Sequence, residues 1–306
     1  MKRDFIDLWN LDPGEAWYLV KRAKEVKDHE GATEKPLEGK VIALLFTKPS
    51  TRTRVSFEVG IGQLGGRTLF LQESHLQLTR GEDVKDTART LSRYVSGVII
   101  RTHSHGWLEE FARWSEVPVI NALTDKSHPC QVLSDVFTLY ENFGDGIKDI
   151  KIAYVGDGNN VCNTWIVASG LFGLNLFVAT PEDFGPDSYY LQAGLDLSGF
   201  TGGNIYLTTD PEEAVREADV VYTDVWVSMG EEDSEEKLES LKRYQVNEKL
   251  LSHAKSSALV MHCLPAKKGQ EITEEVFERY SGFIFTQAEN RLHTQKALLE
   301  FLFTQR

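Results

Sequence analysis

The chain has 306 residues, 41% of them hydrophobic and 26% charged, and a formal net charge of −13. That is long enough for two α/β domains of ordinary size, and too acidic for a nucleic-acid surface, which needs a basic face. No basic-then-apolar leader follows Met1, and no apolar run approaches membrane-spanning length, so the chain, if it is the whole product, reads as soluble and cytoplasmic. Cys130, Cys162 and Cys263 have neither metal-binding spacing nor the density of a disulfide scaffold, and are expected to be reduced thiols.

Apolar positions at helical spacing (Ala16, Leu19, Val20, Ala23, Val26) after Asp12-Pro13 predict a first helix over 12–28. A Gly, Thr and Pro linker (31–39) leads to a strand over 41–46. A helix carrying Val55, Phe57, Val59, Ile61 and Leu64 follows, closed by Gly65-Gly66. Strands over 67–71, 97–101 and 118–121 then alternate with helices over 83–94 and 107–114, and a long helix over 131–143 ends at Gly144-Asp145-Gly146. The alternation restarts with strands over 150–155, 174–179, 204–208, 220–223, 258–262 and 283–285, and helices over 161–171 and 211–218. A last helix covers 289–303. The acidic run from Glu231 to Glu239 reads as a solvated loop and helix start. Such a pattern predicts two doubly wound parallel-sheet α/β domains with the active site in the cleft between them: residues 1–146 with the C-terminal helix 288–306, and residues 147–287.

In parallel sheets the chemistry sits just beyond the carboxyl ends of the strands. After the first strand, Pro49 stops the extended run and Ser50, Thr51, Arg52, Thr53 and Arg54 open a helix. The unpaired N–H groups there, the positive end of the helix dipole, three hydroxyls and two planar guanidiniums favour a phosphate. A helix cap with two solvated arginines is the plainer alternative. The loop is not the Gly-rich Walker type, so a nucleoside triphosphate is not implied. Arg101, with Thr102, His103, Ser104 and His105 around it, ends the third strand, and His128-Pro129-Cys130-Gln131 begins the long helix. Gly156-Asp157-Gly158-Asn159-Asn160-Val161 lacks the third glycine of a dinucleotide turn. Asp224 can pair with an ammonium group at the head of Asp224-Val225-Trp226-Val227-Ser228-Met229-Gly230. His262-Cys263-Leu264-Pro265 ends a later strand, and Arg291 stands in the first turns of the last helix, where the dipole does not favour it.

These motifs, in this order from Ser50 to Lys296, resemble the aspartate/ornithine carbamoyltransferase family, and the Asp224 to Gly230 loop with Cys263 resembles its ornithine-using branch. In aspartate-using members proline stands where Cys263 is. The Thr47-Lys48 pair departs from many relatives, which carry an acidic residue first, and touches none of the expected ligands.

The resemblance implies transfer of the carbamoyl group from carbamoyl phosphate to the δ-amine of L-ornithine, giving L-citrulline and phosphate in arginine metabolism, with no metal and no cofactor. It assigns carbamoyl phosphate to Ser50, Thr51, Arg52, Thr53, Arg54, Gln77, Arg101, His128, Gln131, Cys263, Leu264 and Arg291. Among these His128 would bind the carbonyl oxygen as it gains charge, and Gln131 the amide. Arg101, His128, Cys263 and Arg291 would be catalytic. Ornithine would meet Asn160 (or Asn159), Asp224, Ser228 and Met229. Gln77 would reach a neighbouring subunit's site, making the enzyme a homotrimer or a multiple of trimers. Two alternatives stay open: a sister enzyme that carbamoylates N-acetylornithine, putrescine or aspartate, and a non-catalytic anion-binding or sensing protein.

Overall fold

This computed structural model describes residues 2–29, 35–72, 81–227 and 234–304. They form two compact units, Met1–Phe137 with Arg291–Arg306, and Thr138–Asn290. Among the described residues no helix is long and apolar enough to cross a membrane.

The first unit begins with α1 (Pro13–Asp28), started as its sequence predicts: Asp12 accepts from the N–H of Glu15, and Glu15 from that of Asp12. Its sheet holds β1 (Val41–Phe46), β2 (Arg67–Gln72), β3 (Gly97–Arg101) and β4 (Val119–Leu123) in the order β2-β1-β3-β4. All pairs are parallel. Ile42 to Leu45 and Val98 to Ile100 are wholly or almost wholly buried, as expected of central parallel strands covered on both faces. The strand order reverses between β1 and β3. The loop after β1 enters α2 (Thr51–Gln63), β3 ends on Arg101 just before α4 (His105–Trp114), and β4 runs to α5 (Pro129–Phe143) by way of His128. Between β2 and β3 lies α3 (Val84–Leu91).

The second unit repeats the logic with β5 (Lys151–Val155), β6 (Asn175–Ala179), β7 (Asn204–Thr208), β8 (Val220–Thr223) and β9 (Leu259–His262), all parallel, in the order β7-β6-β5-β8-β9. Its helices are α6 (Asn160–Phe172), α7 (Ser188–Thr201), α8 (Pro211–Val215), α9 (Glu235–Leu241) and α10 (Glu248–Leu251). Every residue of α6 is buried, so it carries no polar stripe. The reversal here lies between β5 and β8, which puts the turns after Val155 and Thr223 at the switch point.

Two expectations fail in physically instructive ways. Residues 283–285 are not a strand but part of α11 (Glu274–Thr304). The short Phe283-Ile284-Phe285 run has strand-like residue types, but Val276, Phe277, Ile284, Gln287 and Asn290 are buried at helical spacing. The sequence reading also has no counterpart to α7. Its apolar residues Tyr189, Leu195 and Phe200 are exposed while Tyr190 and Gly194 face inward, so the core-facing stripe is too thin to read. Its local signal is Asp187, which accepts from the N–H of Tyr189 as an N-cap.

Candidate active site

Ser50 caps α2, its Oγ accepting from the N–H of Thr53 at 3.3 Å, so the first turn of the helix opens at the end of β1. Thr53 is fully buried, and Arg291 Nη2 donates to its Oγ1 at 2.8 Å. That bond joins residues 238 apart in the chain. Arg101 is held by its strand and by the main chain of Thr47, whose N–H donates to the Arg101 carbonyl at 2.9 Å, while the Thr47 side chain turns to Thr102. Arg101 and Arg291 are buried to 4% and 3% exposure, which for two guanidiniums demands a compensating environment.

His128 stands at the head of α5, its carbonyl accepting from the N–H groups of Gln131 and Val132. Burial first, and then the charges of Arg291, Arg101 and Arg52, hold its imidazole well below the usual histidine range. Three arginines brought from β3, α2 and α11 therefore act on one ring and keep it neutral. A neutral imidazole still has one N–H to donate to an oxygen. Gln131 is turned by Asp135, one helical turn on, whose Oδ1 accepts from its Nε2 at 2.8 Å. Cys130 is inert here: burial pushes its thiol up to about 12, and its Sγ lies 3.2 Å from the Asn121 carbonyl. Arg54 is turned aside, with Nε donating to Glu58 at 3.0 Å and the guanidinium 3.7 Å over the Phe70 ring. Thr51 is exposed and Arg52 half-buried.

The second unit gathers a different set. Asp224, 5% exposed, accepts at Oδ2 from Asn159 Nδ2 (2.9 Å) and at Oδ1 from the Cys263 thiol (2.8 Å) and the N–H of Val225 (2.8 Å). Asn159, the second of the two asparagines considered, is the one tied to Asp224. Its Oδ1 also caps α6 by accepting from Val161 and Cys162. Asn160 is buried next to it. Gly156 has a φ of 139°, and a Cβ on Gly158 would meet the Gly185 carbonyl carbon at 2.3 Å. The glycines thus serve a tight turn and a close backbone approach, not a dinucleotide.

Asp224, His262 and Cys263 lie near enough together to hold a cation, but each already has a protein partner. His262 Nδ1 accepts from the N–H of Leu264 at 2.9 Å, which leaves Nε2 to donate to Glu271 Oε1 at 3.0 Å. The buried Glu271–His262 pair steadies the Cys263-Leu264 turn, where Leu264 has a φ of 60°. Glu271 was absent from the sequence reading, and no local spacing advertises it. Asp135 was also absent, although its i,i+4 relation to Gln131 could have found it. Cys263 and Leu264, expected among the carbamoyl phosphate ligands, lie in the second unit, as Asp224 does. Gln77, Ser228 and Met229 lie outside the described residues.

Residues 3–141 match the family model described as the carbamoyl-P binding domain of aspartate/ornithine carbamoyltransferase, and residues 148–302 match its Asp/Orn binding domain. The chain belongs to the aspartate/ornithine carbamoyltransferase family. Within that family it is 69% identical to an ornithine carbamoyltransferase of Aquifex aeolicus (strain VF5) over 303 residues, covering 99% of this chain and 98% of the relative. The crystal structure of the anabolic ornithine carbamoyltransferase of Campylobacter jejuni matches with a TM-score of 0.94 and 42% identity over 100% of both chains. The solved structure of an ornithine carbamoyltransferase from Pyrococcus furiosus matches with a TM-score of 0.92 and 45% identity, covering 97% of this chain and 96% of that one.

Proposed function

We propose that this member of the family transfers the carbamoyl group of carbamoyl phosphate to the δ-amine of L-ornithine, releasing L-citrulline and phosphate. The observation that carries the reading is the convergence of the Arg52, Arg101 and Arg291 charges on a buried His128 that stays neutral. Full-length likeness to relatives named ornithine carbamoyltransferase supports the acceptor.

In this mechanism Ser50, Thr51, Thr53 and the first N–H groups of α2 take the phosphate oxygens, with Arg52, Arg101 and Arg291 neutralising their charge and Arg54 lending its own from alongside. His128 donates to the carbonyl oxygen, and Gln131, oriented by Asp135, takes the carbamoyl nitrogen. The deprotonated δ-amine forms a bond to the carbonyl carbon, whose π electrons move onto the oxygen facing His128. Collapse breaks the carbon–oxygen bond to phosphate, which leaves with the electron pair and takes up the second proton of the attacking nitrogen. Asp224 pairs with the α-ammonium group of ornithine, and Asn160 with Asn159 meets its carboxylate, while Ser228 and Met229 supply further contacts; Cys263 and Leu264 contact carbamoyl phosphate, and Cys263 also orients the amine. A free alkyl amine has a pKa of about 10, so activity rises with pH through the neutral and alkaline range.

The enzyme works in the cytoplasm and assembles as a homotrimer or a multiple of trimers, with Gln77 completing a neighbour's site. The exposed Val55 and Val59 of α2 and Leu69 of the edge strand β2 support association. Colorimetric citrulline formation by the purified protein tests the reaction. Ornithine should be turned over, and N-acetylornithine, putrescine and aspartate should not. Carbamoyl phosphate binding without citrulline would make it a binding protein instead, and light scattering reports the assembly.

A further inference from the structure

His105, the first residue of α4, belongs to neither substrate set, yet it ties together the two loops that carry Arg101 and His128. Its backbone N–H donates to Asp125 Oδ1 at 2.9 Å, and its Nδ1 lies 2.8 Å from Thr124 Oγ1. The same loops are joined by the N–H of Thr102 to the Leu123 carbonyl (3.1 Å) and that of Asp125 to the His103 carbonyl (2.8 Å). Thr124 and Ser127 are fully buried and close the turn that ends at His128. Thr124 Oγ1 accepts from the N–H groups of Lys126 (3.3 Å) and Ser127 (3.2 Å), and the Thr124 N–H donates to the Ser127 carbonyl (2.9 Å).

We propose that His105 is a positioning residue for the transfer: through Thr124 it holds the turn that aims His128, and its proton sets the direction of that hydrogen bond. The inference rests on His128 being the donor to the carbonyl oxygen.

With a neutral ring whose Nε2–H faces Asp7 Oδ2 at 3.2 Å, Nδ1 offers a lone pair and the Thr124 hydroxyl donates to it. The two lone pairs of Thr124 Oγ1 then serve Lys126 and Ser127. With a charged ring, Nδ1–H becomes a third donor to that oxygen. The hydroxyl proton then turns toward the Ser127 carbonyl, 3.5 Å away and already accepting from the Thr124 N–H, which is a longer and poorer bond. The turn is therefore better satisfied when His105 is neutral. The charged groups facing the ring are Asp7, Glu109 at 3.9 Å, and Asp125. Burial disfavours the imidazolium, but together these carboxylates outweigh it and raise the pKa above the ordinary value. His128 should thus be best aimed above that raised pKa and less well aimed below it.

The test is calorimetric binding of carbamoyl phosphate across pH 6 to 9, in which no amine takes part, with kinetics alongside. His105→Leu should weaken binding about tenfold at pH 8 and leave the KM for ornithine within about twofold. His105→Gln, which keeps a polar partner for Thr124 but cannot titrate, should bind within about threefold of wild type at pH 8. The ratio of the two affinities cancels the ionisation of the ligand. It should shift in favour of His105→Gln as pH falls, and Asp7→Asn should move the wild-type transition to lower pH. A ratio flat across pH, or a His105→Leu protein that binds like wild type, overturns the inference. So does equal loss toward both substrates. If the leucine variant fails to fold, the glutamine and Asp7→Asn measurements decide. Wild type that binds carbamoyl phosphate yet forms no citrulline ends the transferase reading while leaving this binding test intact.

Discussion

The two units place polar clusters of opposite kind at equivalent points, the carboxyl ends of strands flanking a reversal of order. In the first, the charges of guanidiniums from three segments, added to burial, hold an imidazole in its neutral form. In the second, one carboxylate is satisfied by an amide, a thiol and a backbone N–H. The first concentrates like charge, and an anion relieves it. The second already holds three donors on its carboxylate, the Cys263 thiol the weakest of them, and an ammonium group pairing there would join donors already present. Anion affinity in this protein should therefore be largely Coulombic, whereas amino-acid affinity should be set by a charge-assisted hydrogen bond added to that network.

The sharpest way to break this contrast is to remove charge from the first cluster. Arg101→Ala should lower kcat/KM by about 10²- to 10³-fold, the range for one preorganised donor at a developing charge, with the KM for carbamoyl phosphate rising. A loss confined to the KM for ornithine would dissolve the division of labour. Asp224→Asn keeps the shape but removes the charge. It should raise the KM for ornithine by about 10- to 100-fold and leave carbamoyl phosphate binding within about twofold, because a charge-assisted hydrogen bond is lost on one side only.

The neutral His128 makes a smaller, thermodynamic prediction. Its folded-state pKa lies well below the roughly 6.5 of an unfolded histidine, so the unfolded chain binds the extra proton first as pH falls. The stability linked to His128 is present above about pH 6.5 and is lost below it. His105 works in the opposite sense: with its folded pKa raised, its contribution is full below the unfolded value and disappears as pH rises through the folded one. Thermal melts of His128→Asn against wild type should converge as pH falls below about 6.5, and those of His105→Gln should converge as pH rises.

The first cluster was far more legible in the sequence than the second. An anion site at a strand-to-helix junction leaves a contiguous trace, and Ser50 to Arg54 carry it whole. Arg291 stood out only because the last helix was expected to begin at Glu289; α11 begins at Glu274, so Arg291 lies mid-helix, beyond the reach of the dipole's positive end, and the error arose where Phe283-Ile284-Phe285 mimics a strand. The Asp224–Cys263 bond spans 39 residues and the His262–Glu271 pair has no periodic signal, so neither could be read locally. That Asn159 and not Asn160 turns toward Asp224 depended on cap geometry, because the residue that caps α6 is the one that makes that bond.

The smallest expected effect tests where the first cluster stops. Arg54 shares the loop and would count as a fifth polar ligand by sequence alone. Its guanidinium instead lies over Phe70 and pairs with Glu58, both at the surface side of α2 and β2. A charge so engaged and partly solvated is screened from the buried anion. Arg54→Ala should accordingly change the KM for carbamoyl phosphate by less than about threefold, against the much larger loss at Arg101, because only long-range Coulombic help is removed. If Arg54→Ala were as damaging as Arg101→Ala, the guanidinium would have to leave Phe70 when the anion binds, and the boundary between preorganised and recruited charge would move out to include it.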